Sequence, residues 1–507
     1  MNDALCTRRR LSIPLLVLCI LVLFLAFHNL AGYPAFTALD EGIRLYFIRN
    51  VVQHGRWAIL TQEGFQAYWR DSTGPVVLLP IMALFQVFGP SLLLARSLMA
   101  ALLILSAGAA YLYTTYWYGH RVALLATLLF LIGGPEWLNS VTMGRWVYGE
   151  VPALGLFLLG CWQWSQALAG RREALALASG AFALAVLAKD LIAPMIIIAL
   201  LVLYGASVVR AVDRLSFRDV LWPSLACLMA FIAWSLFQAY ASSVHAAISG
   251  QQSDLAQLSL SRIVVLSLHN CVQNIKFLRD NDVLLLLPVV VYVAFLRQQS
   301  DKPGRLIVPV FVLVWSFWYV FFSIGWPRYA YPIWALSSML LAVALADLWK
   351  WIQRWMATQH FVHQAASIMF IALLFGFMIM WPFQNTIRRL FEPADDTARI
   401  MALYIDTYIP PNDRIVSGQW EVHFYGKHLF VPIPDEYYNA KIAAQTRRSF
   451  QVSNFRTMHD LNAMYILDGS ENRVTEMVSP AELMRDYDIV FATGEYCLYR
   501  VRSQRGP

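Results

Sequence analysis

Residues 11–382 read as a series of long apolar runs separated by short polar loops, and this limits the chain more than anything else in it. The runs fall at 11–31, 91–118, 121–138, 151–168, 173–189, 191–209, 220–240, 283–297, 306–324, 329–348 and 363–382, eleven in all. A bilayer core offers no water to backbone amides, so an apolar run of about 20 residues is stable there only as a helix. The predicted architecture is a polytopic α-helical membrane protein without internal repeats. Charged residues make up 14% of the chain and hydrophobic ones 59%, against roughly 25% charged in soluble domains. That balance excludes a disordered chain and an ordinary soluble enzyme. The 18 Trp suit a chain with many membrane–water boundaries.

Charge divides the chain. Residues 1–382 hold 41 charged side chains and residues 383–507 hold 30, although the second part is a third as long. The expected organisation is a membrane domain over 1–382 and a water-facing domain over 383–507, long enough for a small core of its own. In the tail, 395–408 reads as a helix, and RIVSG, HLFVPI, AMYILDG and YDIVFATG as short strands, an α/β pattern. No GxGxxG or GxxxxGK loop is present there.

Loop charges orient the spans. Arg8–Arg10 precede the first run, which lacks a clean small-x-small cleavage site and reads as a retained signal anchor. With the N-terminus cytoplasmic, 14 basic residues collect on one face: those three, Arg121, Arg171, Arg172, Arg210, Arg214, Arg218, Arg297, Lys302, Arg305, Lys350 and Arg354. That is the bias of a cytoplasmic face, and it accounts for the net charge of +7 without nucleic acid. It holds only if 75–90, apolar and with Pro80, does not span but lies as a re-entrant or interfacial helix on the outer side. Loops 32–90, 139–150 and 241–282 and the tail then face outward, to the periplasm of a bacterial inner membrane. Ten of the 16 acidic residues before position 383 join them. Ionisable groups at a membrane boundary are costly and mark function. The six Cys (6, 19, 161, 227, 271 and 497) show no metal spacing; a Cys271–Cys497 bridge has no support beyond a shared outer face.

Asp40 and Glu41 stand side by side after the first run, at the head of the amphipathic stretch IRLYFIRNVVQHGRW. Adjacent carboxylates there read either as a helix cap and first-turn acid or as a general base next to a lipid-borne substrate. Glu150 is either a helix N-terminal carboxylate or a site acid. Lys189 either neutralises Asp190 or binds an anion. Arg328, followed by Tyr329, either snorkels or grips phosphate with its planar fork; Arg145 is a further cation of that kind.

The Leu39-Asp40-Glu41-Gly42 motif, the later Gly-x-Trp, the amphipathic segment ending Phe-Gly and the helix with Arg96 resemble the GT-C superfamily of integral-membrane glycosyltransferases. Within it they resemble the protein O-mannosyltransferase and lipid A aminoarabinose transferase families. GRWVYGEVPALGLF (144–157), LAKDLIAP (187–194), GWPRYAYPIWALSSMLLA (325–342), IPPNDRIVSGQW (409–420) and the closing YDIVFATGEYCLYR extend the likeness over nearly the whole chain. Each motif alone is short; order and spacing carry the weight. Asp190 stands where the family has glycine. Arg70-Asp71 stands where aminoarabinose transferases have Glu-Lys-Pro, with acid and base reversed.

The resemblance implies an inverting transferase that moves sugar from a polyprenyl-phosphate donor to a hydroxyl acceptor. In it Asp40 is the catalytic carboxylate, and Glu41 and Glu150 are auxiliary acids. Lys189, Arg328, Tyr329, Arg145, Arg70 and Asp71 bind substrate, and membrane lipids are partners. No cofactor is required. A divalent cation held by His245 or His269 with Asp71 or Glu63 has no fixed spacing behind it. The rival classes are a lipid-linked sugar flippase and a non-enzymatic assembly protein. A carrier shows related halves and polar residues at mid-membrane, whereas a scaffold needs no acid–base cluster on one face.

Overall fold

The computed structural model describes residues 13–31, 39–68, 72–135, 137–209, 214–249, 267–297, 302–356, 376, 379–393, 395–433, 461–469 and 480–502. Arg70, Asp71 and most of the expected run at 363–382 lie outside the described residues.

The membrane part is helical: α1 (Ile13–Phe27), α2 (Leu39–His54), α3 (Pro75–Phe88), α4 (Leu92–Tyr118), α5 (His120–Ile132), α6 (Ser140–Arg145), α7 (Glu150–Leu168), α8 (Glu173–Ala188), α9 (Ile192–Val208), α10 (Phe217–Ser249), α11 (Leu268–Asp280), α12 (Val283–Val291), α13 (Pro303–Phe321) and α14 (Tyr331–Met356). Among the described residues, four stretches are long and apolar enough to cross a membrane: Leu92–Tyr118, Phe217–Ala241, Pro303–Phe321 and Pro327–Trp355. Shorter apolar helices pack around them. Small residues bring the helices together, as dispersion packing in lipid favours. A Cβ on Gly155 of α7 would stand 2.2 Å from Ser106 Oγ of α4, and one on Gly160 would stand 2.6 Å from the Phe182 ring of α8.

Helix α3 has 14 residues, about 21 Å at 1.5 Å per residue, short of a hydrocarbon core of about 30 Å. Its Val77, Leu78, Ile81 and Phe85 pack with Ile43, Tyr46 and Phe47 of α2. The helix is thus a partner for α2.

Two expectations are corrected. The outer loop at 241–282 contains ordered helix: α10 continues to Ser249, and α11 begins at Ser267, whose hydroxyl accepts from Asn270 N. Asn270, Asn274 and Leu278 form its buried face, while Lys276, Arg279 and Asp280 are exposed on the other side. A hairpin of β1 (Ala58–Thr61) and β2 (Gly64–Ala67) follows α2, which the amphipathic pattern of 43–57 did not announce. Cys271 and Cys497 are both free thiols.

Among the described residues the tail forms a mixed five-stranded sheet in the order β4-β3-β5-β7-β6, from β3 (Ile415–Ser417), β4 (Val431–Pro432), β5 (Tyr465–Asp468), β6 (Tyr487–Thr493) and β7 (Tyr496–Val501). Strand β3 runs parallel to β4 and β5, and β7 runs antiparallel to β5 and β6. The four anticipated strands are present; β7 is the addition, returning from β6 at Gly494, whose φ of 56° suits glycine. Helix α15 (Thr397–Tyr408) covers one face with Met401, Ala402 and Ile405. Helix α16 (Trp420–Tyr425) leaves the sheet and seats on α2. Gly42 makes this approach possible, since a Cβ there would meet Glu421 N at 2.7 Å.

Candidate functional site

The first turn of α2 carries Asp40 and Glu41, where carboxylates favour the positive end of the helix. Their surroundings differ. Glu41 is buried and grips Arg96 of α4 with both oxygens, at 2.8 Å to Nη2 and 3.2 Å to Nε. It also accepts from Val147 N at 3.2 Å. One turn later Arg44 donates to Val147 O at 3.0 Å. Helix α2 therefore holds Val147 by its N–H and its carbonyl, and with it the loop that ends at Glu150.

Asp40 keeps 24% of its side chain exposed and pairs with Arg328, which keeps 15%. Arg328 sits in the 3₁₀ turn Pro327–Ala330 between α13 and α14. Its guanidinium lies over the rings of Trp326, Tyr329 and Tyr148, at 4.6, 5.4 and 5.9 Å. Trp315 Nε1 donates to Tyr329 O at 2.7 Å and fastens the turn to α13. Upstream, Asn274 of α11 donates to the carbonyls of Tyr319 and Ser323, at 2.8 and 3.1 Å. It thereby caps the end of α13 before the chain turns toward Arg328.

Glu150 opens α7, and Lys189 occupies the break between α8 and α9. Lys189 Nζ stands 2.7 Å from Glu150 Oε1, with the two side chains 3% and 4% exposed. That is the separation of a charge-assisted hydrogen bond, and among the described residues neither group has another side-chain partner. Two buried charges carry a desolvation cost that one ion pair does not cancel. Glu150, Lys189, Trp315, Arg328 and Tyr329 line one narrow pocket of about 10 Å³, room for about one water.

The structure thus brings together Asp40, Glu150, Lys189, Arg328 and Tyr329, from four separate segments. Glu41 and Arg145 do not line the pocket; Glu41 is engaged by Arg96, and buried Arg145 donates to the His28 carbonyl. Arg70 and Asp71 lie outside the described residues, as does the His245 side chain. Among the described residues, no three His, Cys, Asp or Glu side chains gather as metal ligands would. Arg44, Trp315 and Asn274 were not singled out from sequence. Each acts through a backbone carbonyl or through packing, which no side-chain motif records.

No family model matches this sequence, and no curated protein matches it. Solved structures do. ArnT from Cupriavidus metallidurans bound to undecaprenyl phosphate aligns over 97% of this chain and 99% of its own, with TM-score 0.61 and 15% identity. The archaeal oligosaccharyltransferase AglB from Archaeoglobus fulgidus, in complex with an inhibitory peptide and a dolichol-phosphate, aligns over 97% of this chain and 74% of its own, with TM-score 0.55 and 14% identity. The Archaeoglobus fulgidus oligosaccharyltransferase in the apo form aligns with TM-score 0.56 and 13% identity, over 97% of this chain and 75% of its own. At such identities the likeness fixes architecture alone: this chain has the membrane fold of ArnT and AglB.

Proposed function

We propose that the protein is an inverting membrane glycosyltransferase that moves a sugar from a polyprenyl-phosphate donor to a hydroxyl acceptor at the outer face of a bacterial inner membrane. The observation that carries this is the meeting of Glu150, Lys189 and Arg328 around one pocket, with Asp40 paired to Arg328 at its edge. Solved proteins of the same fold bind undecaprenyl phosphate and a dolichol-phosphate.

In this mechanism the donor phosphate enters between Lys189 and Arg328. Phosphate competes with Asp40 for the guanidinium, so donor binding turns Asp40 toward the acceptor. The acceptor oxygen attacks the anomeric carbon from the face opposite the phosphate. Its proton passes to the Asp40 carboxylate, the carbon–oxygen bond to phosphate breaks, and the bond pair leaves on the lipid phosphate. The two cations stabilise that leaving charge. Glu150 balances Lys189 until the phosphate arrives. Tyr329, Arg70 and Asp71 are further substrate-binding residues. The eleven-span topology, with the 383–507 domain outside, puts this chemistry away from nucleotides.

The test is transfer of radiolabelled sugar from purified polyprenyl-phosphate sugars by the full chain in nanodiscs, with Asp40→Asn alongside. Asn serves as a helix cap about as well as Asp, so a capping role predicts unchanged turnover. A base predicts a fall of about 10²–10⁴-fold in kcat with donor KM unchanged or lower, because Arg328 loses its internal partner. Turnover within about threefold of wild type, far short of a lost base, would refute the assignment.

A further inference from the structure

Lys189 and Asp190 break the apolar run between Ala188 and Leu191, and the Lys189 backbone is extended, with φ −150° and ψ 107°. It forms an antiparallel bridge with Thr73. Gly74 N donates to Ala188 O at 3.1 Å, and Asp190 N donates to Ser72 O at 3.0 Å. A scrap of β-ladder between the end of the first outer loop and the α8–α9 break thus holds the lysine backbone.

Two glycines flank this backbone. Gly74 has φ −106° and ψ −172°, and Gly149 has φ −83° and ψ −13°, conformations open to any L-residue. Space explains them instead. A Cβ on Gly149 would stand 2.1 Å from Ala188 O and 3.3 Å from Lys189 Cδ. One on Gly74 would stand 2.2 Å from Leu187 O and 2.9 Å from its carbonyl carbon. These obstacles are backbone, so no rotamer change relieves them. Gly149 ends the loop that Glu41 and Arg44 hold at Val147, and Glu150 follows it directly. Among the described residues the charged ends of Lys189 and Glu150 have no side-chain partner but each other, so the backbone packing sets where those ends meet.

We propose that Gly149 and Gly74 are positioning residues for Lys189: they clamp the Leu187–Lys189 backbone from two sides and so present the ammonium to the pocket beside Glu150. This rests on Lys189 as a ligand of the lipid phosphate. The probe is undecaprenyl phosphate itself, titrated against the full chain in nanodiscs. Lys189→Ala should weaken binding by about 10- to 150-fold, the value of a charge-assisted contact. Gly149→Ala should weaken it by about tenfold or more, since an ångström of misplacement is costly at such sites. Because the glycine acts through the lysine, Gly149→Ala should add little in the Lys189→Ala background.

Lys189→Ala with wild-type affinity would remove the phosphate reading and this proposal with it. A loss in Lys189→Ala, with Gly149→Ala unaffected or fully additive, would overturn the positioning role alone. Should Gly149→Ala fail to fold, Asp190→Pro compared with Asp190→Ala tests the same ladder. Proline deletes the N–H that Ser72 accepts, and the extended Lys189 already suits the position before proline. Affinity lost in Asp190→Pro but kept in Asp190→Ala supports the clamp, and equal affinity refutes it.

Discussion

Removing the Glu41 carboxylate should damage stability and chemistry by separate routes. The pair with Arg96 is bidentate and buried, with side chains 1% and 0% exposed. Glu41→Ala leaves a guanidinium in the interior without its counter-ion, which costs about 3–5 kcal/mol. It also strips Val147 N of its acceptor, about 1–3 kcal/mol for a buried amide. Replacing both partners by Leu removes the unpaired charge, and a buried pair exchanged for apolar residues of similar volume is neutral or stabilising. The double variant should therefore recover the stability lost to the unpaired charge, but not the about 1–3 kcal/mol lost at Val147 N. Turnover should stay below wild type, because α2 would hold the Glu150 loop by Arg44 alone. Melting midpoint and kcat measured on wild type, single and double variants decide it. A double variant as unstable as Glu41→Ala would refute the ion-pair argument. One that recovers full turnover would show that the Val147 contact does not position Glu150.

Two further outcomes are expected. Burial, the Arg49 guanidinium and His428 hold His423 well below its ordinary 6.5. The unfolded state therefore binds the extra proton as pH falls below about 6.5, and stability drops there by up to about 1.4 kcal/mol per pH unit. Hydrogen exchange over α16 should show that slope, and His423→Phe should abolish it; a slope unchanged in the variant would assign it to another group. A reporter fused after Gly418 should report the periplasmic side, and those after Gln166 and Arg210 the cytoplasm; a cytoplasmic Gly418 fusion would make 75–90 a span.

The apolar runs were legible because burial in lipid writes itself into local composition. Helices α4, α7 to α10, α13 and α14 lie where those runs do. The four tail strands were legible for the same local reason, each being a short apolar segment between turn residues. Helix α11 was not, although its apolar residues keep helical spacing: Leu268, Val272 and Ile275 face outward while Asn270 and Asn274 turn inward, the reverse of the usual burial pattern. The site was legible as a roll of residues and illegible as an arrangement. Asp40 and Glu41 are neighbours in sequence, yet one faces Arg328, 288 positions away, and the other Arg96, 55 positions away. No local pattern separates their roles; the helical turn does, by pointing adjacent side chains about 100° apart.

The composition break at 382–383 is not a mechanical boundary. Arg49 of α2 donates to the carbonyls of Phe424 and Gly426, at 2.7 and 2.8 Å, holding the C-terminal end of α16 where a cation is favoured. Glu63 pairs with Arg414 at 3.1 Å, and Gln62 N donates to Phe430 O at 3.0 Å. Glu421 packs on the first turn of α2 at Gly42, next to the two carboxylates. The helix that begins with Asp40 is thus packed on one side by α3 and α4 and on another by residues almost 400 positions later. A change in the tail that moved α16 would reach Asp40 through α2 as a rigid rod. That gives the tail a direct physical route to the candidate base, although none of its described residues lines the pocket.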